Sequence, residues 1–283
     1  MSTPGIATRN EVRLEVGNTV AGPRWSLWLH EHERPLLGAV VFVVLLIGWE
    51  LAVRLHLVRA LFVSSPSLVV GALFEAIQRG TLWTDIGVSL QEYILGYLAA
   101  SILGILVGLA VGWSRRLNYV ASPWLAAWYA TPHIALIPLV ILWFGIGLWY
   151  KVFYVFLVAF FSVVMNTLGG VQSAEAGYLD VARSFRASQL MVFRSVVLPG
   201  AVPYILTGLR LAAGRAWVGV VVAELVGGNA GIGYMINVAG QMLNTSRMML
   251  GIVLLGVFGI LVGEATRRVE RRFEVWRPQR TND

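Results

Sequence analysis

Cysteine is absent from the 283 residues, and lysine occurs once, at Lys151. The first absence removes disulfides, thiolate-held metals and cysteine nucleophiles. The second removes an ATP-binding P-loop, which needs Gly-Lys followed by Ser or Thr, because Lys151 stands between Tyr150 and Val152. Histidine is confined to His30, His32, His56 and His133, and His30-x-His32 is not the i, i+4 pair of a helical metal site. Neither a G-x-S-x-G elbow nor a carboxylate pair at catalytic spacing occurs. No enzyme, resident cofactor or metal is expected in this chain.

Charge is also scarce, at 13% of residues against 57% apolar and a mean hydropathy of +0.72. Soluble domains carry about 25% charged residues, so the chain is read as an integral membrane protein surrounded by lipid. The 21 Arg and one Lys exceed 15 acidic residues, giving +7. In a soluble protein that excess would suggest nucleic acid. Here it is assigned to loops on the cytoplasmic side, and no nucleic-acid partner is expected.

A spanning helix needs about 20 mostly apolar residues. Six stretches qualify: Pro35 to about Val53, Ile86 to Trp113, Pro123 to Gly145, Tyr150 to Leu168, Pro203 to Val226 and Met249 to Ala265. With both termini inside, 15 basic residues fall on the cytoplasmic side and 5 outside. That ratio satisfies the positive-inside rule. The first stretch is too far from the N-terminus to be a signal peptide. Between the first two spans, Ser65-Pro66 opens and Arg79-Gly80 closes a one-sided apolar helix too short to cross. It is read as an external amphipathic helix. Upstream, Trp25 to Leu29 is either an interfacial anchor or part of a disordered arm.

The long connection of residues 169–203 contains Asp180-Val181-Ala182, then Arg186 after three residues, and Val196-x-Leu198-Pro199 after nine more. This resembles the EAA loop of bacterial ATP-binding-cassette importer permeases, whose pattern is Glu-Ala-Ala, three residues, Gly, nine residues, Ile-x-Leu-Pro. Pro132 to Ile146, Gly214 to Glu224 and Gly231-Ile232-Gly233-Tyr234 resemble segments of the nitrate, sulfonate and taurine permeases, and the likeness covers roughly residues 36–272.

The resemblance implies a type I importer permease fold: all-α, six transmembrane helices, with a cytoplasmic coupling helix in the loop. It implies docking of cytoplasmic ATP-binding subunits at Asp180, Val181, Ala182, Phe185, Arg186, Val196, Leu198 and Pro199. An external substrate-binding protein and a second permease copy, as a homodimer, are the other expected partners. The organisation expected is an N-terminal cytoplasmic arm over 1–34, the first span and external helix over 35–81, a core over 82–267 and a basic tail over 268–283, in a bacterial inner membrane.

Val181, Phe185, Ser188 and Val192 are spaced for one face of a docking helix, and Leu198-Pro199 is expected to end that segment before the fifth span. Arg186 departs from the family glycine, which would permit positive φ. Either the elbow bends without a left-handed residue, the preferred reading, or an acidic group on the ATPase compensates the arginine.

The fifth span contains Arg210, Arg215 and Glu224. Arg210 is near enough to the cytoplasmic surface to snorkel. Nine residues of helix place Arg215 and Glu224 on opposite faces, so they are not expected to pair. Arg215 either faces the translocation route, where it would suit an anion, or forms a structural bridge to another span or to the second subunit. Pro132 and Pro138 bend the third span and mark it as path-lining. His133 is either a polar lining residue or, as is commoner, a satisfied buried histidine. The glycines at 227, 228, 231 and 233 form a loop or re-entrant turn. Candidate path residues are therefore Pro132, His133, Pro138, Arg215 and Glu224. The expected function is passage of a small solute, an anion such as a sulfonate, taurine, nitrate or bicarbonate. The alternatives are a passive channel or secondary transporter subunit, and a membrane scaffold with no solute flux.

Overall fold

The computed structural model describes residues 24–174 and 176–272, and the regular structure among them is helical throughout. The N-terminal arm before residue 24 and the tail beyond 272 lie outside the described residues. Two compact units divide between Leu51 and Ala52. The first is α1 (Arg24–Arg54) as far as Leu51. Its apolar run, from Leu36, is exposed on all sides, the pattern of a helix whose solvent is lipid. Because the helix starts at Arg24, the Trp25 to Leu29 stretch is helical.

The second unit opens with the short α2 (Ala60–Val63) and α3 (Pro66–Gln78). Ser65 caps α3, its side chain accepting from the Leu68 N–H at 3.4 Å, and Pro66 sits in the first turn, as its sequence implies. Then follow α4 (Thr81–Trp113), α5 (Arg115–Ala130), a 3₁₀ turn at His133–Leu136, and α6 (Ile137–Phe144). The chain continues through α7 (Leu148–Gln172), α8 (Ala176–Ser184), α9 (Gln189–Val192) and α10 (Leu198–Gly227). It finishes with α11 (Ile232–Gln241) and α12 (Thr245–Arg272).

Five stretches are long and apolar enough to cross a membrane, and the bent pair α5–α6 makes a sixth. That third span differs most from expectation. It starts at Arg115, capped by Ser114, and Pro123 lies inside α5. The break is a 91° bend after Ala130, where Pro132 precedes the 3₁₀ turn. Pro138 makes no kink, because it sits in the first turn of α6, where no helical partner awaits its missing N–H.

The fifth span also starts earlier than Pro203. A π turn at Phe193–Val197 joins α9 to α10, so residues 189–227 read as one helix. Leu198-Pro199 does not interrupt it. The carbonyl that the Pro199 ring would strike, four residues back at Ser195, lies within the wider π turn.

Packing is centred on α7, which lies between α4 and α10. Gly96, Ala100, Gly104, Gly108 and Gly112 recur every fourth residue on α4. Val155, Ala159, Val163, Thr167 and Val171 repeat with the same period on α7. A methyl group added at Gly104 would sit 2.8 Å from Val163 Cβ, so the two helices, which run parallel, touch almost backbone to backbone. Within lipid, where apolar burial gives little, such close contact supplies the association energy. On the other side of α7, α10 runs antiparallel, with Gly208 against Asn166 and the Tyr150 hydroxyl donating to the Ala223 carbonyl at 3.1 Å. Helix α12 packs on α10 through Trp217, whose indole N–H donates to the Leu255 carbonyl at 3.1 Å. One end of the bundle thus carries α3, α11 and the starts of α4 and α7, while the other carries α8 and α9.

Candidate functional site

At the α8 end, the connection of residues 173–197 folds into an elbow. Helix α8 terminates in a Schellman-type cap: the Ala187 N–H donates to the Ala182 carbonyl at 3.0 Å, and Arg186 has φ +51°. The preferred expectation for Arg186 is therefore corrected. The elbow does bend through a left-handed residue, and the arginine occupies the position where glycine carries no strain. Ser188 then caps α9, accepting from the Met191 N–H at 3.3 Å.

This break also splits the face expected from Val181, Phe185, Ser188 and Val192. Val181 and Phe185 are exposed, together with Tyr178, Leu190 and Met191. Val192 turns inward with Leu179 onto a cluster of Val171, Val197, Ala201 and Ile205. Asp180 is exposed, whereas Ala182, Val196, Leu198 and Pro199 are half-buried.

Within the spans, Arg215 lies twelve residues before Gly227, roughly 18 Å from that end of α10 at 1.5 Å per residue. Its guanidinium donates to Ser162 Oγ and to the Tyr129 hydroxyl, both at 2.9 Å, and sits 4.9 Å from the centre of the Tyr129 ring. Arg215 stays exposed on the surface of the chain. Beside it, at the 91° break, His133 packs on Phe161, with ring centres 5.8 Å apart, and Phe161 stacks on Trp128. Among the described residues His133 Nε2 is buried with no hydrogen-bond partner, so His133 is not the satisfied core histidine expected as the commoner case. Arg210 reaches Glu270 on α12 at 2.8 Å, an ion pair rather than a side chain snorkelling alone.

Glu224 is a different matter. Its side chain is fully buried, with Oε1 accepting from Ser89 at 2.6 Å and Oε2 from the Gly233 N–H at 2.6 Å. It is corrected from a path candidate to an interior anchor, because no surface of the chain reaches it. Around it, Glu92 is in contact with Lys151, Ser89 Oγ accepts from the Ile232 N–H at 2.9 Å, and Asp85 accepts from the Gly231 N–H at 3.0 Å. Asp85, Ser89 and Glu92 follow one face of α4 at intervals of four and three. The glycine loop closes on this cluster. A Cβ on Gly231, at φ +115°, would run into the Glu224 carboxylate. As expected, Arg215 and Glu224 do not pair.

Residues 100–275, more than half of the chain, match the family of binding-protein-dependent transport system inner membrane components. The chain belongs to this family of importer permeases. The permease is 36% identical over 242 residues to a putative aliphatic sulfonates transport permease of Bacillus subtilis, covering 86% of each chain. It is 33% identical over 258 residues to the taurine transport system permease of Escherichia coli, covering 89% of this chain and 92% of that one. Among solved structures, the permease resembles the inward-facing MetNI methionine ABC transporter, with TM-score 0.60, 19% identity, and coverage of 68% of this chain and 97% of that one. It also resembles an amino acid ABC transporter solved with histidines, with TM-score 0.59, 18% identity, and coverage of 71% and 97%. These likenesses fix the fold as that of a type I importer permease.

The sequence reading of the permease missed the partners of Glu224. Lys151 drew notice only as the lone lysine, and Glu92 drew none. The signal was present: Asp85, Ser89 and Glu92 on one stripe of an apolar span require a buried counter-charge, and the single lysine opens a neighbouring span.

Proposed function

We propose that the permease forms, with a second copy of itself, the path by which a small sulfonate-type anion enters a bacterial cell. An external binding protein delivers the solute, and ATP-binding subunits dock on the elbow formed by α8 and α9. The observation that carries this reading is the apolar surface of the elbow, where Phe185 is 82% exposed beside Tyr178 and Val181. Contiguous apolar surface outside the bilayer marks a protein interface, and a permease without nucleotide-binding machinery requires one. Support for the elbow's cytoplasmic position, and for both termini inside, comes from the distribution of basic residues. Support for a sulfonate-type solute comes from the relatives named for aliphatic sulfonates and for taurine, together with a positive charge at mid-span.

The mechanism follows from rigidity. Nucleotide-driven closure of the ATP-binding subunits would move the paired elbows, and continuous helix from α9 through α10 carries that motion to the path. Phe185→Asp should abolish co-purification of the ATP-binding subunits and uptake of taurine or alkanesulfonates into proteoliposomes. Phe74→Asp, at another exposed apolar position, on α3, should leave co-purification intact. Retention of the ATP-binding subunits by the Phe185 variant would refute docking at the elbow.

A further inference from the structure

Two independent irregularities meet at one place in the membrane-spanning region. The first is a charge: Arg215 is exposed on the chain surface at mid-span, where an arginine facing lipid is unfavourable. The second is broken backbone: α5 and α6 meet at 91° across Thr131 and Pro132. Non-helical backbone at membrane depth persists only within protein or beside a water-filled cavity. Tyr129, the last residue but one of α5, holds the guanidinium directly, so both irregularities belong to one patch.

The patch is built for a ligand rather than for a structural bridge. Among the described residues Arg215 finds no carboxylate; its two partners there are neutral hydroxyls, and they fix its plane against the Tyr129 ring. Of five guanidinium N–H groups, these contacts use two and leave three unengaged. His133 packs on Phe161, the neighbour in sequence of the Ser162 that anchors Arg215, and its Nε2 lacks a partner among the described residues. Trp128 and Phe161 wall the site with apolar rings. Fixed planar donors with free N–H groups match the geometry of an oxyanion such as sulfonate, which a guanidinium grips through two oxygens.

We propose that Arg215, held by Tyr129 and Ser162 and joined by His133, is the contact through which the path accepts an oxyanion. This assignment rests on the import reading above and adds the residues that select the charge. In a homodimer the site occurs twice, so an anion would pass between two equivalent arginines.

The test is uptake of radiolabelled taurine and ethanesulfonate by the complete reconstituted complex, with stimulated ATP hydrolysis measured in parallel. Arg215→Gln should lose at least tenfold in uptake while the assembled complex still hydrolyses ATP. Arg215→Lys should retain a larger share by keeping the charge. His133→Ala should lose several-fold, and Ser162→Ala, which releases one of the two anchors of the guanidinium, should lose a smaller share. Equal uptake by wild type and an assembled Arg215→Gln complex would overturn the assignment while leaving the import reading intact. A wild-type complex that assembles, hydrolyses ATP and imports no oxyanion would overturn both. Should Arg215→Gln fail to assemble, the His133→Ala variant decides: wild-type uptake there would overturn the site.

Discussion

Replacing Lys151 with methionine isolates the energetics of the buried cluster. The Lys151 and Glu92 side chains are 2% and 0% exposed and in contact, and Glu224 lies against Glu92 on the other side. Methionine keeps a similar length and volume while removing the cation that touches Glu92, so two buried carboxylates are left facing each other. Breaking a buried ion pair from one side costs about 3–5 kcal/mol. Replacing Lys151 and Glu92 together with methionine removes the uncompensated charge, and such exchanges range from neutral to stabilising by about 1–4 kcal/mol. At roughly 2–4 °C per kcal/mol for a chain of this size, Lys151→Met should lower Tm by on the order of 10 °C. The double variant should recover most of that loss. Thermal unfolding of detergent-purified permease, followed by tryptophan fluorescence, reads both. A single variant melting within about 2 °C of wild type, or a double variant less stable than the single, would refute the ion-pair reasoning.

Arg186→Gly should stabilise the elbow by about 1 kcal/mol, since glycine adopts positive φ without the Cβ clash. Hydrogen exchange at the Ala187 amide, which closes the cap, should slow about fivefold; faster exchange would show that the arginine side chain holds the turn. Gly104→Val should cost about 1–3 kcal/mol by forcing α4 from α7, whereas Gly87→Val, on the same helix with open space around it, should be close to neutral. Equal Tm values for the two valine variants would mean that the close approach of α4 and α7 does not hold the bundle together.

The spans and the short capped helix α3 were legible because each follows from local pattern, and the elbow because its spacing resembles a family loop. Twenty apolar residues, a Ser-Pro start and an Asp180-to-Pro199 spacing are all readable without knowing what lies opposite. What escaped was settled between segments. Glu224 looked like a lone charge in a span because its partners, Ser89 and Gly233, are set by the packing of α4 and α11. The division of the elbow face depends on where the helix breaks, and that depends on a strained arginine conformation that no spacing rule favours. Pro132 and Pro138 look alike in sequence, yet one sits at a bend and the other opens a helix. Likewise, Pro199 was read as a stop because sequence rules assume an α turn before it, not a π turn.

The continuous helix across that π turn sets a mechanical ratio. Gly208 rests against Asn166 of α7, which makes it a natural fulcrum for the rod of residues 189–227. From Gly208, nineteen residues lead back to Gln189 and seven lead on to Arg215, arms of roughly 28 Å and 10 Å. A rigid rod pivoting there reduces a displacement nearly threefold, so a 3 Å push at Gln189 would shift the guanidinium by about 1 Å in the opposite sense. Such a lever trades travel for force, which suits a step that must loosen an ion from a charged contact without dismantling it.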